Sequence, residues 1–359
     1  MSVQVSLKKQ FFFGLILIII LLSVIEISAR VYDFYNPNCK FIDSDVYKDI
    51  SLDLKRQICF DNTDIKFEEN PYRHNVPNQQ MSTITINQFG FRGSDISLEK
   101  EIGTYRIFLV GGSSVFGVGT IDEETIPSYL QIELESRFPN KNIQVINAGV
   151  PGIHSYTESM LIENKIFDFD PDMIIVYDGW NDIQRPFDKY YIPGEFNEIN
   201  NYIRWIVKND VIKTGKVILK SYFSWKQDNF EIDRNFDATL IEEKVGSWKK
   251  TWIKTCEVSK EKKIDMLILL QPILGSSDRN LSEHELSNFE FYHLSKLTEQ
   301  YKNYYESLTD LNDHCSEAID FRNLFDGYDE AIFFDEVHTG NLGNKIISER
   351  ISHAIQHYL

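Results

Sequence analysis

Positive charge is the first thing this chain is short of. Of its 359 residues, 37 are Lys or Arg against 54 Asp or Glu, a formal net charge of −17. A protein that holds nucleic acid needs a basic footprint on the phosphates, so nucleic-acid partners are set aside. Cysteine is scarce too: Cys39, Cys59, Cys256 and Cys315 are the whole supply, and their spacing matches no disulfide framework. Internal repeats are missing, and so are low-complexity tracts outside an apolar stretch near the amino terminus. With 42% hydrophobic and 25% charged residues, the balance is that of a globular chain and not a disordered or collagenous one. The length allows two domains, or one α/β domain of roughly 250 residues with appendages.

What is present begins with an uncharged run, Phe11 to Ile25 (FFFGLILIIILLSVI). Carried on to Ala29 it includes one acid, Glu26, and as a helix it measures about 28 Å, enough to cross a bilayer. Lys8 and Lys9 precede it and no such cluster follows. The positive-inside bias therefore puts the amino terminus in the cytoplasm and everything after Arg30 outside. Residues 1–30 are read as an uncleaved signal anchor with the lipid bilayer as partner. A cleaved secretory signal and a buried soluble helix are the alternatives, although the exit sequence IEISARVY lacks a good A-x-A site. In an oxidising space the four cysteines would pair, most simply Cys39 with Cys59 and Cys256 with Cys315; four unpaired, mostly buried thiols are the other reading. Asn280-Leu281-Ser282 is a glycosylation sequon, usable only in a host that glycosylates outside the membrane.

Residues 31–104 are rich in Tyr, Asn and Asp with little periodicity beyond Thr83 to Ile86, and read as a membrane-proximal stalk that folds onto a main domain, 105–359. From Tyr105 the pattern alternates. Tyr105 to Val110, Ile143 to Ile146, Met173 to Tyr177, Met266 to Leu270 and Ala318 to Phe321 read as buried parallel strands. Between them lie helical stretches: one opened by Thr125 and Pro127, one over Tyr156 to Phe167, one with Val245, Trp248, Trp252 and Cys256 on one face, a long one from about Ser282 to Leu311, and a last one from Asn341. Alternating strands and helices predict an α/β sheet covered on both faces. Residues 184–238 exceed a normal connection and carry Tyr190, Tyr191, Phe196, Trp205 and Trp225, as a lid or substrate wall would, or equally an extra packed helix pair.

Ligands of an open parallel sheet bind beyond the carboxyl ends of its strands. Those positions hold Gly111-Gly112-Ser113-Ser114-Val115-Phe116-Gly117, then Asn147-Ala148-Gly149-Val150-Pro151-Gly152, then Asp178-Gly179-Trp180-Asn181-Asp182, and Asp335-Glu336-Val337-His338 before the final helix. The inventory suits acyl transfer. Serine needs a base within reach, and an imidazole of near-neutral pKa is suited to the task, which makes Ser113 the candidate nucleophile and His338 the candidate base. Asp335 could orient the ring. The Ser113 N–H, the Gly152 N–H and the Asn181 amide are suitable oxyanion donors.

These residues also resemble a family, the SGNH or GDSL-type hydrolases, named for Ser, Gly, Asn and His in successive blocks. The first block there is usually G-D-S-x-x-x-G; this chain reads GGSSVFG, with Gly112 in place of the usual aspartate, as in a membrane-anchored subgroup. Gly152 falls on the second-block glycine, Asn181 on the third-block asparagine, and Asp335 and His338 on the D-x-x-H of the last. Asn87-Gln88-Phe89-Gly90-Phe91-Arg92-Gly93 looks like the lead-in of membrane-anchored members. The resemblance covers about Tyr105 to Leu359 and implies a flavodoxin-like three-layer α/β/α sandwich of about five parallel strands, with no metal and no cofactor.

Rival motifs fail on specific letters. The loop is followed by Val118-Gly119 and not by the Lys-Ser/Thr of a phosphate-binding loop, and Val115 stands where the G-x-S-x-G elbow of α/β-hydrolases needs glycine. Ser114 is the fallback nucleophile. His353 and His357 have metal-ligand spacing without an evident third ligand, and His154 beside Gly152 is either a substrate contact or a structural histidine. The function expected is a membrane-anchored extracytoplasmic serine esterase acting on O-acyl, chiefly O-acetyl, groups of glycan or lipid. An O-acyltransferase would use the same constellation. A catalytically silent module that binds glycan or scaffolds a surface complex is the rival from another class.

Overall fold

Runs of Val, Ile and Leu with no polar interruption make stable strands only where both faces are covered. The central sheet meets that condition. It has five strands, β1 (Thr104–Gly111), β2 (Asn142–Gly149), β3 (Met173–Asp178), β4 (Asp265–Leu270) and β5 (Glu317–Asp320), all parallel, in the order β2-β1-β3-β4-β5. This is the flavodoxin-like order, which reverses direction between β1 and β3 and opens a crevice there. In β3, at the middle, all six residues are buried.

The computed structural model describes residues 6–35, 39, 41–69, 71–184, 213–215, 217–218 and 238–359. They fall into two units, Met1–Asn38 with Ile192–Arg234, and Cys39–Tyr191 with Asn235–Leu359. In the first unit, α1 (Leu7–Tyr35) contains a 26-residue stretch, Leu7–Tyr32, long and apolar enough to cross a membrane, and its most apolar window is not buried in protein. The one acid of Leu7–Tyr32 is not idle: Glu26 pairs with Arg30 and accepts hydrogen bonds from the Lys213 and Thr214 N–H groups and the Thr214 hydroxyl. Most of the long insertion, including its five singled-out aromatics, lies outside the described residues.

The second unit, Cys39–Tyr191 with Asn235–Leu359, holds the sheet. Its helices are α2 (Leu52–Asp64), α3 (Ser113–Phe116), α4 (Ile126–Arg137), α5 (Ser155–Asn164), α6 (Trp180–Gln184), α7 (Ala238–Glu261), α8 (Glu283–Phe291), α9 (Leu294–Glu306), α10 (Leu308–Asn312) and α11 (Asn341–Ile355). Helices α4 and α11 pack together on one face of the sheet, α5, α7 and α9 on the other, giving three layers. Thr125 caps α4 by accepting from the Ser128 N–H, with Pro127 in the first turn, where its missing N–H costs nothing. Val245, Trp248, Trp252 and Cys256 of α7 are all buried, as their spacing on one face requires.

The single long helix expected from Ser282 to Leu311 is instead three, α8, α9 and α10. The first break is at His293, whose left-handed backbone (φ 50°) turns the chain so that Leu294, Leu297, Tyr301 and Tyr304 can all face inward. Both disulfides form between the pairs set out above. Cys256–Cys315 ties α7 to the approach to β5, and Cys39–Cys59 ties the start of the unit to α2. By loop length these links remove chain entropy worth about 4 and about 3 kcal/mol.

Candidate active site

The nucleophile candidate sits where β1 stops. Gly112 is the N-cap of α3, whose four residues start at Ser113. A side chain at 112 would begin 2.5 Å from Asn181 Nδ2, which places the Asn181 amide directly against the start of α3. Gly149, at the end of β2, is equally constrained: a Cβ there would lie 2.1 Å from the Phe116 backbone nitrogen, so only glycine lets α3 settle against the neighbouring strand.

What holds α3 from beneath is Arg92, from the region expected to be a stalk. It is buried, donates to Asp122 Oδ1 at 2.8 Å through Nε, and spreads its Nη hydrogens over the carbonyls of Phe116 (2.9 Å), Gly117 (2.8 Å), Thr120 (2.8 Å) and Thr83 (3.4 Å). Its backbone also bridges to Asn147 of β2. The planar five-donor fork of arginine is what allows one residue to satisfy so many acceptors.

The base candidate comes from the loop before α11. Asp335 Oδ1 accepts the backbone N–H groups of Val337 (3.0 Å) and His338 (2.8 Å), while His338 Nδ1 lies 2.7 Å from Asp335 Oδ2. The other ring nitrogen, Nε2, lies 2.6 Å from Ser113 Oγ, across 225 residues of sequence. Burial by itself would raise the Asp335 pKa, but the facing His338 charge and the bonds from His338 and Val337 hold it below its ordinary value. An ionised Asp335 can only accept, so Nδ1–H donates to it and Nε2 is left to accept from the serine hydroxyl. The ring is stacked at 10° on Phe334, which packs in turn against Phe41 and Tyr47. Glu285, fully buried and paired with Arg279, accepts the Ile332 and Phe333 N–H groups at 2.9 Å each and so anchors the strand of chain leading to Asp335.

The opposite wall is made by the ends of β2 and β3. Gly152 takes a left-handed backbone (φ 79°) at the turn before α5. Asn181 Nδ2 donates to the Ile153 carbonyl at 2.6 Å, which leaves its second amide hydrogen for a ligand. Behind it Asp182 accepts the Ser155 N–H at 3.0 Å and the Ser155 hydroxyl at 2.5 Å, joining the two loops.

Ser113, His338 and Asp335 thus form one line, with Asn181 against Gly112 beside it, while Gly152 is tied in only through its neighbour Ile153, whose carbonyl Asn181 holds. Ser114 is the buried neighbour and it is Ser113 that reaches the imidazole. His154 ends up at the N-cap of α5, within electrostatic range of Asp178. His353 and His357 are exposed, and among the described residues no three His, Cys, Asp or Glu gather as a metal site would require. Arg92, Phe334, Tyr47 and the acids Glu158 and Asp178 carry supporting roles that motif reading missed. For Arg92 a signal existed, a lone cation inside NQFGFRG; for the others the signal is only contact.

No family model matches the chain, and no curated protein matches it. Among solved structures it is similar to a catalytic mutant of Axe2, an acetylxylan esterase from Geobacillus stearothermophilus, with 14% identity over 71% of this chain and 96% of the other and a TM-score of 0.41. It is also similar to TesA, with 9% identity, 71% and 99% coverage and a TM-score of 0.44. A putative lipolytic protein of the G-D-S-L family from Desulfitobacterium hafniense gives 12% identity, 69% and 98% coverage and a TM-score of 0.39. Likenesses of this size settle neither family nor substrate.

Proposed function

We propose that the chain is a membrane-anchored serine esterase whose catalytic domain lies outside the cytoplasmic membrane and removes O-acyl groups, acetyl foremost, from glycan or lipid. The observation that carries the reading is the unbroken line of Ser113 Oγ, His338 and Asp335, with contacts of 2.6 and 2.7 Å. Ser113 Oγ attacks the ester carbonyl as its proton passes to His338 Nε2, and Asp335 offsets the imidazolium charge. The resulting oxyanion meets the Ser113 N–H, the Gly152 N–H and the free hydrogen of the Asn181 amide. Collapse expels the alcohol, which takes the proton from His338. Water, deprotonated by the same ring, then releases the carboxylic acid and restores Ser113. The outer location is supported by the apolar α1, the preceding Lys8 and Lys9, and two disulfides.

The test is a fluorophosphonate probe on the full chain in detergent. Labelling is expected in the parent protein and absent in Ser113→Ala; a folded parent that takes no label refutes the enzyme. Because His338 must be neutral to act, labelling should climb as pH rises through the titration of its imidazole. A flat profile from about pH 5 to about pH 8 would remove His338 as the base. Product analysis with an acylated glycan, scoring free acid against acyl passed to a second sugar, separates hydrolysis from transfer.

A further inference from the structure

Behind Asn181 three carboxyls share one dry pocket. Asp178 ends β3, Asp182 lies in α6 and Glu158 lies in α5, all buried. Asp178 Oδ2 accepts both indole N–H groups of α7, Trp248 at 2.9 Å and Trp252 at 3.3 Å. Asp178 and Asp182 lie close enough for their charges to repel, while Asp182 itself accepts from the Ser155 N–H and hydroxyl. Glu158 is fully shut off from solvent, and neither of its oxygens meets a hydrogen-bond partner among the described residues. A carboxylate cannot be held that way; a neutral acid can.

The pocket contains little that would offset a second negative charge. From α7, Lys244 is half-buried and gives its ammonium to the Ile183 carbonyl. From α9 come Tyr301, whose hydroxyl donates to the Gln271 carbonyl, and Tyr304, whose hydroxyl has no partner among the described residues. From the N-cap of α5 comes His154. Burial, followed by mutual repulsion, raises the pKa of Glu158 and Asp178, and burial raises that of Asp182.

The trio is wired to the oxyanion wall. Asp182 is the neighbour of Asn181, and it grips Ser155 by both N–H and hydroxyl, three residues beyond Gly152. We propose that Asp178 and Glu158 are positioning residues that keep protons at neutral pH and thereby let Asp182 fasten the Gly152 and Asn181 loops to each other, so that alkali disables the site from behind. Loss of a further proton places adjacent negative charges in the pocket, and separating α6 from α5 relieves them by drawing Asn181 away from Ile153. This inference rests on the esterase reading for its effect on rate, while the proton content of the trio stands apart from it.

Two readouts on the full chain test it from about pH 6 to about pH 10: rate of Ser113 labelling, and emission of Trp248 and Trp252, which needs no catalysis. The parent should lose labelling by at least about tenfold toward the alkaline end, with an emission change at the same midpoint. Asp178→Asn and Glu158→Gln imitate the protonated acids; each should move both midpoints up by at least about one pH unit while leaving labelling at neutral pH within about threefold. If the parent labels and its alkaline loss keeps the same midpoint in both variants, the trio proposal is overturned and the esterase reading survives. If the emission change shifts as described but no protein labels at any pH, the protonated pair is supported and the esterase reading falls. Circular dichroism of each variant guards against misfolding, and either variant alone suffices.

Discussion

Asp335 and Glu158 are both buried carboxyls near the carboxyl end of one sheet, and the two walls of the crevice treat them in opposite ways. Asp335 is surrounded by donors, two backbone N–H groups and an imidazole, and it sits below its ordinary pKa. Glu158 faces two more acids and is held well above its ordinary value by burial and their charge. On the Ser113 side, each buried charge of the machinery meets an opposite charge or a fan of dipoles, as Arg92 and Asp122 do. On the Asn181 side burial raises the carboxyl pKa values instead. The difference teaches that burial depth alone does not set a carboxyl's pKa: Asp335 has an opposite charge facing it, whereas Asp178, with two indole donors but acidic neighbours, still rises.

Breaking the matched wall should cost most. Arg92→Met leaves Asp122 and four carbonyl groups without their donor and should lower unfolding stability by about 3 to 5 kcal/mol in urea titrations. A loss below about 1 kcal/mol would show that α3 is held by packing instead. On the other wall the largest kinetic effect belongs to the amide: Asn181→Ala should reduce turnover by about 10² to 10³, equivalent to about 3 to 4 kcal/mol, with little change in KM. A fall of less than about threefold would take Asn181 out of the oxyanion site.

The comparison sharpens further through linkage. The unfolded chain releases the Glu158 proton near the ordinary value of about 4.3, while the folded chain keeps it, so the folded state binds more protons and stability falls as pH rises between the two values. The slope is about 1.4 kcal/mol per pH unit across that window. Glu158→Gln should erase this slope, so its stability advantage over the parent grows with pH; parallel stability curves from about pH 5 to about pH 8 would contradict it. Asp335 has the opposite sign. Its contribution is present above the ordinary carboxylate pKa and is lost as pH falls through the lowered one.

Much of the fold was legible because strand cores and helix faces carry their own periodicity. Val245, Trp248, Trp252 and Cys256 declared a buried face, and four of the five strands appeared within one residue of their observed limits, while β2 runs three residues past Ile146 to Gly149. The break at His293 was not legible, since the residues of α8, α9 and α10 all favour helix and only the packing of Leu294 and Tyr301 selects the turn. The five site residues could be read because strand ends in a parallel sheet are where ligands bind. Their neighbours could not: Phe334 under His338 and Glu158 beside Asp178 are defined by contacts between segments far apart in the chain, which leave no local pattern.

The sequence by itself determined the apolar amino-terminal helix, the alternation of strand and helix, and which hydroxyl, imidazole, amide and carboxylate were available, because each of these follows from local composition and period. Only the tertiary structure decided that Arg92 supports α3, that Gly149 is glycine to admit α3, and that one buried acid lies below its ordinary pKa while another lies above it. Those outcomes depend on distances of a few ångströms between residues as much as 225 positions apart, because electrostatic and hydrogen-bond energies are set by spatial separation, orientation and burial.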